Sequence, residues 1–212
     1  MPEIAKILDR PLEKYAVELV NVDSVAFSPF VNLFSSQNVQ TCFSKVAIVT
    51  DDDRCTKKSE TNYINKDFDY DDVNSDISGK LLSGTPSERC NELETLCRAV
   101  GINVFKATKT LEYALCCDEN NIEYFIEAIK SEYSQLGPAL EQKVNSLHDM
   151  NEKAACVWLF IRAREKCKGA IAQYISQIIK KQCEMRKRGE NIEKEFVIPD
   201  YLKEAVYCVT ER

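Results

Sequence analysis

The ten residues "KVAIVTDDDR" (45–54) decide how the fold and the function of this chain are interpreted. Apolar and β-branched side chains dominate residues 46–50, which predicts a buried β-strand. Asp51, Asp52 and Asp53 follow without a break. Three adjacent carboxylates repel one another, so we expect a positive group beside them. In an open parallel sheet the functional crevice lies beyond the carboxyl ends of the strands, which is where these aspartates would stand.

Composition limits the class of protein. The chain has 212 residues, of which 44% are hydrophobic and 29% are charged, as expected for one domain or one domain with an appendage. Ten cysteines are scattered without a C-x-x-C pair, and His148 is the single histidine, which argues against a zinc site. No apolar run reaches membrane-helix length, and the charged N-terminus is no signal peptide. We expect a cytoplasmic protein that does not enter a membrane and keeps its thiols reduced.

Alternating strand and helix signals predict an α/β fold in the first half. We predict strands at 16–22, 45–50 and 102–107, and helices at 28–36 and 85–100, the second capped by Thr85. Two crossovers would join the strands into a parallel core sheet flanked by helices. The polar stretch 54–85 shows no periodicity and is predicted to be a long loop or lid.

Helical periodicity replaces this alternation after Thr110. Residues 122–133 and 171–179 both repeat apolar side chains at i, i+3, i+4 and i+7, and a Gly-Pro pair at 137–138 is expected to separate two helices. The run 196–199 is expected to be extended and to precede a short terminal helix. We therefore predict an α/β core over 1–118 and a helical C-terminal subdomain over 119–212. Trp158 is expected in the core and His148 at the surface.

The aspartate triplet suggests a cation site. Along an extended backbone Asp51 and Asp53 point to one side and Asp52 to the other. Two converging carboxylates suit Mg²⁺ or Mn²⁺, which prefer oxygen ligands. The alternative is an acidic turn whose aspartates only cap the next element.

Positive charge is concentrated in residues 153–188, which contain ten basic and two acidic side chains. A basic strip beside an acidic pocket suits a metal-dependent enzyme that acts on nucleic acid, because the strip attracts phosphates while the pocket holds cations. The alternative is an ordinary solvated helix face.

Five blocks of sequence, in this order, resemble one family. They are "VELVNVDSVAFSPFVNLF" (17–34), "KVAIVTDDD" (45–53), "ATKTLEYAL" (107–115), "KCKGAIAQYIS" (166–176) and "FVIPDYLKEAV" (196–206). They resemble the C-terminal TOPRIM nuclease domain of the OLD-family (overcoming lysogenization defect) ATP-dependent endonucleases. The resemblance implies a TOPRIM-like fold and a Mg²⁺- or Mn²⁺-dependent DNA endonuclease, normally fused behind an ABC-type ATPase and used in phage defence or DNA processing.

The same resemblance implies roles for four residues. Asp51 and Asp53 match the D-x-D metal ligands of the family, and Glu112 matches an acidic position of a second metal site. Lys168 matches a lysine that assists catalysis. Glu112 and Lys168 also have simpler structural interpretations. Glu112 could serve only to stabilise the first turn of a helix capped by Thr110, and Lys168 could belong to a helix that ends at Gly169.

Two departures from the family pattern qualify the implied activity. The family's domain begins with a strand carrying a V-E-G motif, and this chain starts just after the corresponding point. No G-x-x-x-x-G-K-[ST] motif is present, so the chain has no ATP site of that kind. We therefore expect poor cleavage unless an ATPase subunit, another partner chain or a homodimer mate completes the site and covers the exposed sheet edge.

Two further functions are compatible with the sequence. One is a non-catalytic nucleic-acid-binding or assembly module derived from such a nuclease, with a vestigial acidic pocket. The other is a phospho-acceptor receiver domain, but receivers place their acids after two different strands, and the helical second half is long for that class.

Overall fold

The computed structural model describes residues 1–22, 26–34, 45–54 and 68–211, and all structural statements refer to these ranges. Two strands form a parallel pair, β1 (Ala47–Asp51) and β2 (Asn103–Ala107). Their register places Ala47 beside Asn103 and Asp51 beside Ala107, so both strands end at the same edge. The strands predicted at 45–50 and 102–107 are confirmed, and the chain is mixed α/β.

Helices make up most of the remaining described chain. In chain order they are α1 (Pro2–Ile7), α2 (Ser28–Leu33), α3 (Ser75–Ser83), α4 (Glu88–Val100), α5 (Leu111–Leu115), α6 (Glu119–Glu132), α7 (Leu136–Ser146), α8 (Met150–Ala163), α9 (Lys168–Lys187) and α10 (Asp200–Thr210).

The strand predicted at 16–22 is wrong. A 3-10 turn over Leu12–Tyr15 ends at Ala16, whose φ of 53° is left-handed, and residues 17–22 form no strand. Leu19 and Val20 are each 56% exposed. An apolar run becomes a strand only where a neighbouring strand takes its backbone hydrogen bonds, and the described residues offer this run none.

The loop predicted over 54–85 is wrong for its second half, whereas 55–67 lie outside the described residues. A 3-10 turn at Tyr70–Asp72 is followed by α3, which Asn74 caps by accepting a hydrogen bond from the Ile77 amide at 3.0 Å. Ile77 and Leu81 lie one turn apart, and α3 packs on α8 through them. Two apolar anchors suffice for a helix once a hydrophobic surface is in place.

The helix predicted at 85–100 is present, but its cap is Ser87 rather than Thr85. The Ser87 hydroxyl accepts from the Cys90 amide at 3.3 Å, and Gly101 ends α4 in the left-handed region at φ 76°. The helix predicted at 28–36 is confirmed over Ser28–Leu33, and residues 35–36 lie outside the described ranges.

Alternating side chains of the strands face two cores. Ile48 and Val104 pack with Leu93 and Cys97 of α4 and with Val31 of α2, whereas Val49 packs against a larger core. Helix α10 contacts both strands. The sheet is therefore placed between α4 and the helical part of the chain.

Helix α8 is the centre of the larger core. All of its residues over 154–161 are buried, including Trp158 as predicted, whereas His148 is exposed. The same cluster includes Ile4 of α1, Leu81 of α3 and Leu202 of α10. Side chains from both predicted segments, 1–118 and 119–212, therefore pack together, and the boundary between them stays a prediction.

The Gly-Pro pair lies inside the first turn of α7 rather than between two helices. Helix α6 ends at Glu132 and α7 begins at Leu136. A Cβ at Gly137 would stand 2.6 Å from the Lys130 Cα, so glycine permits the close approach of α6 and α7. None of the helices described is long and apolar enough to cross a bilayer.

Candidate functional site

Asp51 lies at the carboxyl end of β1 in an unfavourable electrostatic environment. Its Oδ1 accepts a hydrogen bond from the Leu111 amide, the first residue of α5, at 2.9 Å. Burial, followed by the charges of Glu112 and Asp53, raises the pKa of Asp51 to about 6, against smaller opposing effects from the Leu111 amide and Lys168. A cation beside Asp51 would relieve this cost.

Glu112 and Lys168 lie together near Asp51. Thr110 caps α5 by accepting from the Tyr113 amide at 3.4 Å, which places Glu112 in the first turn of that helix. The Lys168 Nζ is 3.6 Å from the Glu112 Oε1. The capping interpretation of Thr110 is confirmed, and it is compatible with a role of Glu112 at the site.

Lys168 begins a helix rather than ending one. It is the first residue of α9, and Gly169 follows inside the first turn, so the interpretation of this pair as a helix ending is wrong. The start of α9 is thereby directed to the region of Glu112 and Asp51. Sequence spacing alone could not show this proximity, because 56 positions separate Glu112 from Lys168.

Asp53 is oriented by a different constraint from Asp51. The extended backbone on which the alternation argument relied ends at Asp51, and Asp53 has a left-handed φ of 48°. Its carboxylate forms an ion pair with Arg89 of α4. Among the described ranges, no three His, Cys, Asp or Glu side chains are arranged to hold a metal ion.

Asp52, between the two predicted ligands, is buried and joins the ends of both strands. Only 2% of it is exposed, and its carboxylate accepts from the Lys109 amide at 2.9 Å and from the Arg54 Nε at 2.8 Å. Its own amide donates to Ala107 at 3.1 Å, and its carbonyl accepts from Ser87 at 2.9 Å. These contacts form a clamp in which Asp52 holds the ends of β1 and β2 together. It was not predicted from the sequence, although Arg54 directly after the triplet is a signal for it.

Arg54 and Arg89 therefore provide the positive charge that three adjacent aspartates require. Arg54 pairs with Asp52 and also donates to the Leu82 carbonyl at 2.9 Å, while Arg89 pairs with Asp53. Asp51 is paired with neither arginine in these salt bridges. Within the triplet, the carboxylate without an arginine partner in these salt bridges is therefore that of Asp51, and the charge of Glu112 raises its pKa.

Backbone strain accompanies the clamp. Asp53 at φ 48° and Lys109 at φ 68° follow the two strand ends, and the Asp53 amide donates to the Lys109 carbonyl at 3.2 Å. Lys109 is buried, and its Nζ lies 5.0 Å from the centre of the Trp158 ring. Non-glycine residues in this region of backbone space need support from their surroundings and cluster at functional sites.

Tyr201 is a further neighbour of Asp51 and Glu112, and it was not predicted from the sequence as a site residue. It is the second residue of α10 and packs against the larger core. Burial raises its pKa, and the charges of Asp51 and Glu112 raise it further, so the phenol stays protonated near these two carboxylates. Its only sequence signal is its place in the block 196–206.

The basic residues of 153–188 do not form one strip. Arg164 pairs with Asp69 at 3.1 Å and stacks over Phe160, and Arg186 contacts Glu195 and the Ile7 carbonyl. Lys180 and Lys181 are exposed. Part of this charge therefore stabilises contacts between helices, and part faces solvent along α9.

The donor chemistry at the strand ends suits a hard cation in part. Asp51 and Glu112 supply carboxylate oxygens, the ligand type preferred by Mg²⁺ and Mn²⁺. Asp53 is held by Arg89. The residues present fit a partial site that would need further ligands.

Comparison of the chain with protein-family models, curated proteins and solved structures found no match.

Proposed function

We propose that this chain is the TOPRIM-like nuclease part of an OLD-like endonuclease, which hydrolyses DNA phosphodiesters with Mg²⁺ or Mn²⁺ in the cytoplasm. One observation carries the proposal. Asp51, Glu112 and Lys168, distant in sequence, meet at the carboxyl ends of two parallel strands. Two carboxylates and one ammonium group match the charges needed to hold a cation and to contact a phosphate.

Each residue has a defined task in this proposal. Asp51 and Glu112 would hold the cation, which when bound supplies water activation and charge neutralisation at the phosphate. Lys168, with 48% of its side chain exposed, can reach the phosphate oxygens from the start of α9. The clamp around Asp52 holds both strand ends so that these groups keep their spacing.

The proposed centre is incomplete without further carboxylates. The chain's own residues fit a partial cation site, and Lys168 also neutralises Glu112. A partner chain, either an ATPase subunit or a second copy, would supply the missing ligands at the sheet edge. The isolated chain is therefore expected to bind Mn²⁺ weakly and to cut DNA poorly.

Calorimetry and plasmid nicking test the proposal. The double variant Asp51→Asn with Glu112→Gln should lose the Mn²⁺ binding isotherm of the wild type. The control, Asp76→Asn with Glu92→Gln, removes the same charges from exposed positions and should bind as the wild type does. Equal binding by both variants would refute the assigned ligands. Robust cleavage of supercoiled plasmid by the isolated wild type would refute only the incompleteness.

A second candidate is a non-catalytic nucleic-acid-binding or assembly module. The ion pairs of Asp53 with Arg89 and of Glu112 with Lys168 favour it, because internal cations can neutralise a vestigial acidic pocket permanently. Such a module would bind DNA in EDTA with a steep salt dependence and would give no Mn²⁺ isotherm that depends on Asp51.

A further inference from the structure

The exposed face of α9 has an unusual chemical composition. Gln173, Ser176, Gln177, Lys180 and Lys181 recur at helical spacing on this face, and all are exposed. Between Lys168 and Cys183 the helix contains no carboxylate. The opposite face, with Ile171, Ile175 and Ile179, is buried in the larger core.

This composition is not the default for helices of this chain. The formal net charge is −6, and the exposed face of α6 carries Glu119, Glu123, Glu127 and Glu132. Helices α6 and α9 pack against each other and bury similar isoleucine-rich faces. The two helices therefore share a core role and differ in what they present to solvent.

The face also has a definite starting point and length. It runs from Gln173 to Lys181, and Lys168, whose Nζ lies 3.6 Å from the Glu112 Oε1, is the first residue of the same helix, little more than one turn before Gln173. At about 1.5 Å per residue these eight steps extend about 12 Å. That length corresponds to roughly three to four base pairs of duplex at about 3.4 Å each.

We propose that the exposed face of α9 is a docking surface for a nucleic-acid backbone that leads into the Asp51–Glu112–Lys168 centre. This inference rests on the proposed function, because it assigns a path to the substrate of that centre. Amide, hydroxyl and ammonium groups are the side chains that contact phosphate and sugar without reading sequence. The surface therefore predicts binding that depends on charge and length more than on base sequence.

The same residues fit a protein partner less well. Protein interfaces depend on buried aromatic, large aliphatic or arginine anchors, and the exposed residues over 169–181 include none of these. A row of short polar groups that ends in two lysines complements a regular line of phosphates.

Fluorescence anisotropy with a labelled 20-base-pair duplex in EDTA tests the surface separately from the metal site. Lys180→Glu with Lys181→Glu should weaken binding at least tenfold and lower the slope of log affinity against log salt by about two. The matched control, Lys14→Glu with Lys80→Glu, makes the same charge change at exposed positions elsewhere and should stay within about twofold. Circular dichroism should show that both variants are folded.

A second variant tests whether the position of the face matters when no lysine is removed. Ser176→Asp with Gln177→Glu removes no cation but places carboxylates in the middle of the face, and it should also weaken binding severalfold. Equal losses in the lysine variant and its control would overturn the inference, as would no binding of DNA by the wild type. Equally tight binding of poly-L-glutamate would also overturn it, because the face would then be a site for acidic proteins.

The docking surface and the catalytic centre can fail independently. If the Asp51→Asn, Glu112→Gln variant keeps its Mn²⁺ isotherm while the α9 variants lose DNA, the proposed centre is wrong and the docking surface stands. If Mn²⁺ binding depends on Asp51 while the α9 variants bind DNA as tightly as the wild type, the docking surface is wrong and the centre stands.

Discussion

Asp51 is the residue at which the folded state bears an unfavourable charge. Its neighbours Asp52 and Asp53 have arginine partners, whereas burial and Glu112 raise the pKa of Asp51 to about 6. Natural proteins retain such groups where function needs them, since neutral replacements are more stable. The stability cost of Asp51 is therefore measurable and depends on pH.

Asp51→Asn should stabilise the protein at pH 7.5 by about 1–3 kcal/mol. The wild-type pKa is about 6 when folded and 3.8 in the reference state, so the folded chain binds more protons between these values and loses stability as pH rises through them. Urea denaturation at pH 4 and 7.5 should show the gain growing with pH. Asp9→Asn, at an exposed position, is the control, and an equal gain there would contradict the electrostatic explanation.

Arg89→Gln should tighten Mn²⁺ binding by about threefold to fivefold, because partly exposed ion pairs contribute up to about 1 kcal/mol and this one holds the carboxylate of Asp53. Calorimetry at low salt measures the change. Arg98→Gln on the exposed side of the same helix should have no effect. Weaker Mn²⁺ binding by Arg89→Gln would show that the Arg89–Asp53 pair supports the site rather than competing with the cation.

The Asp52 clamp joins three secondary-structure elements, β1, β2 and the start of α4. Asp52→Asn should cost about 3 kcal/mol, because removing one partner leaves the Arg54 guanidinium without its buried carboxylate. Asp53→Asn in the same turn should cost less than about 1 kcal/mol, since its ion pair is about 30% exposed. Chemical denaturation compares the two, and similar costs would contradict the clamp.

The start of α4 distinguishes the cap seen in the structure from the one predicted from sequence. Ser87→Ala should destabilise the chain by about 1 kcal/mol, because the Cys90 amide loses its acceptor. Thr85→Ala, at an exposed position two residues earlier, should change the unfolding free energy by less than about 0.5 kcal/mol. Thermal or urea unfolding of the two variants measures both losses. A larger loss for Thr85→Ala than for Ser87→Ala would identify Thr85 as the cap.

Helix α8 connects the sheet side of the protein to its helical side. Leu159 is fully buried, and Leu159→Ala should cost about 2–5 kcal/mol. Leu33, 62% exposed, should tolerate alanine within about 0.5 kcal/mol.

Because one hydrophobic cluster includes residues from both predicted segments, Trp158 fluorescence and circular dichroism should report one unfolding transition. Two separated transitions would support independent units at 1–118 and 119–212.

The helices after Thr110 show how far sequence patterns alone can reach. Ile122, Phe125, Ile126 and Ile129 are buried along one face of α6, as their spacing predicts. Helix α3 was not predicted, because it has only two strong apolar anchors in a polar stretch. Its formation depends on a surface of α8 more than 70 residues away, which local pattern does not report.

Local sequence patterns specify β1, β2 and the long amphipathic helices, because side-chain periodicity and backbone preference depend only on residues close together in the chain. Contacts between distant residues account for four other features: 17–22 form no strand, Ser87 caps α4, Asp52 is a buried clamp and Lys168 lies beside Glu112. Each of these depends on which distant group supplies a hydrogen bond, a charge or an apolar surface. Strand pairing and charge pairing require partners in space, and the order of residues along the chain does not specify where those partners lie.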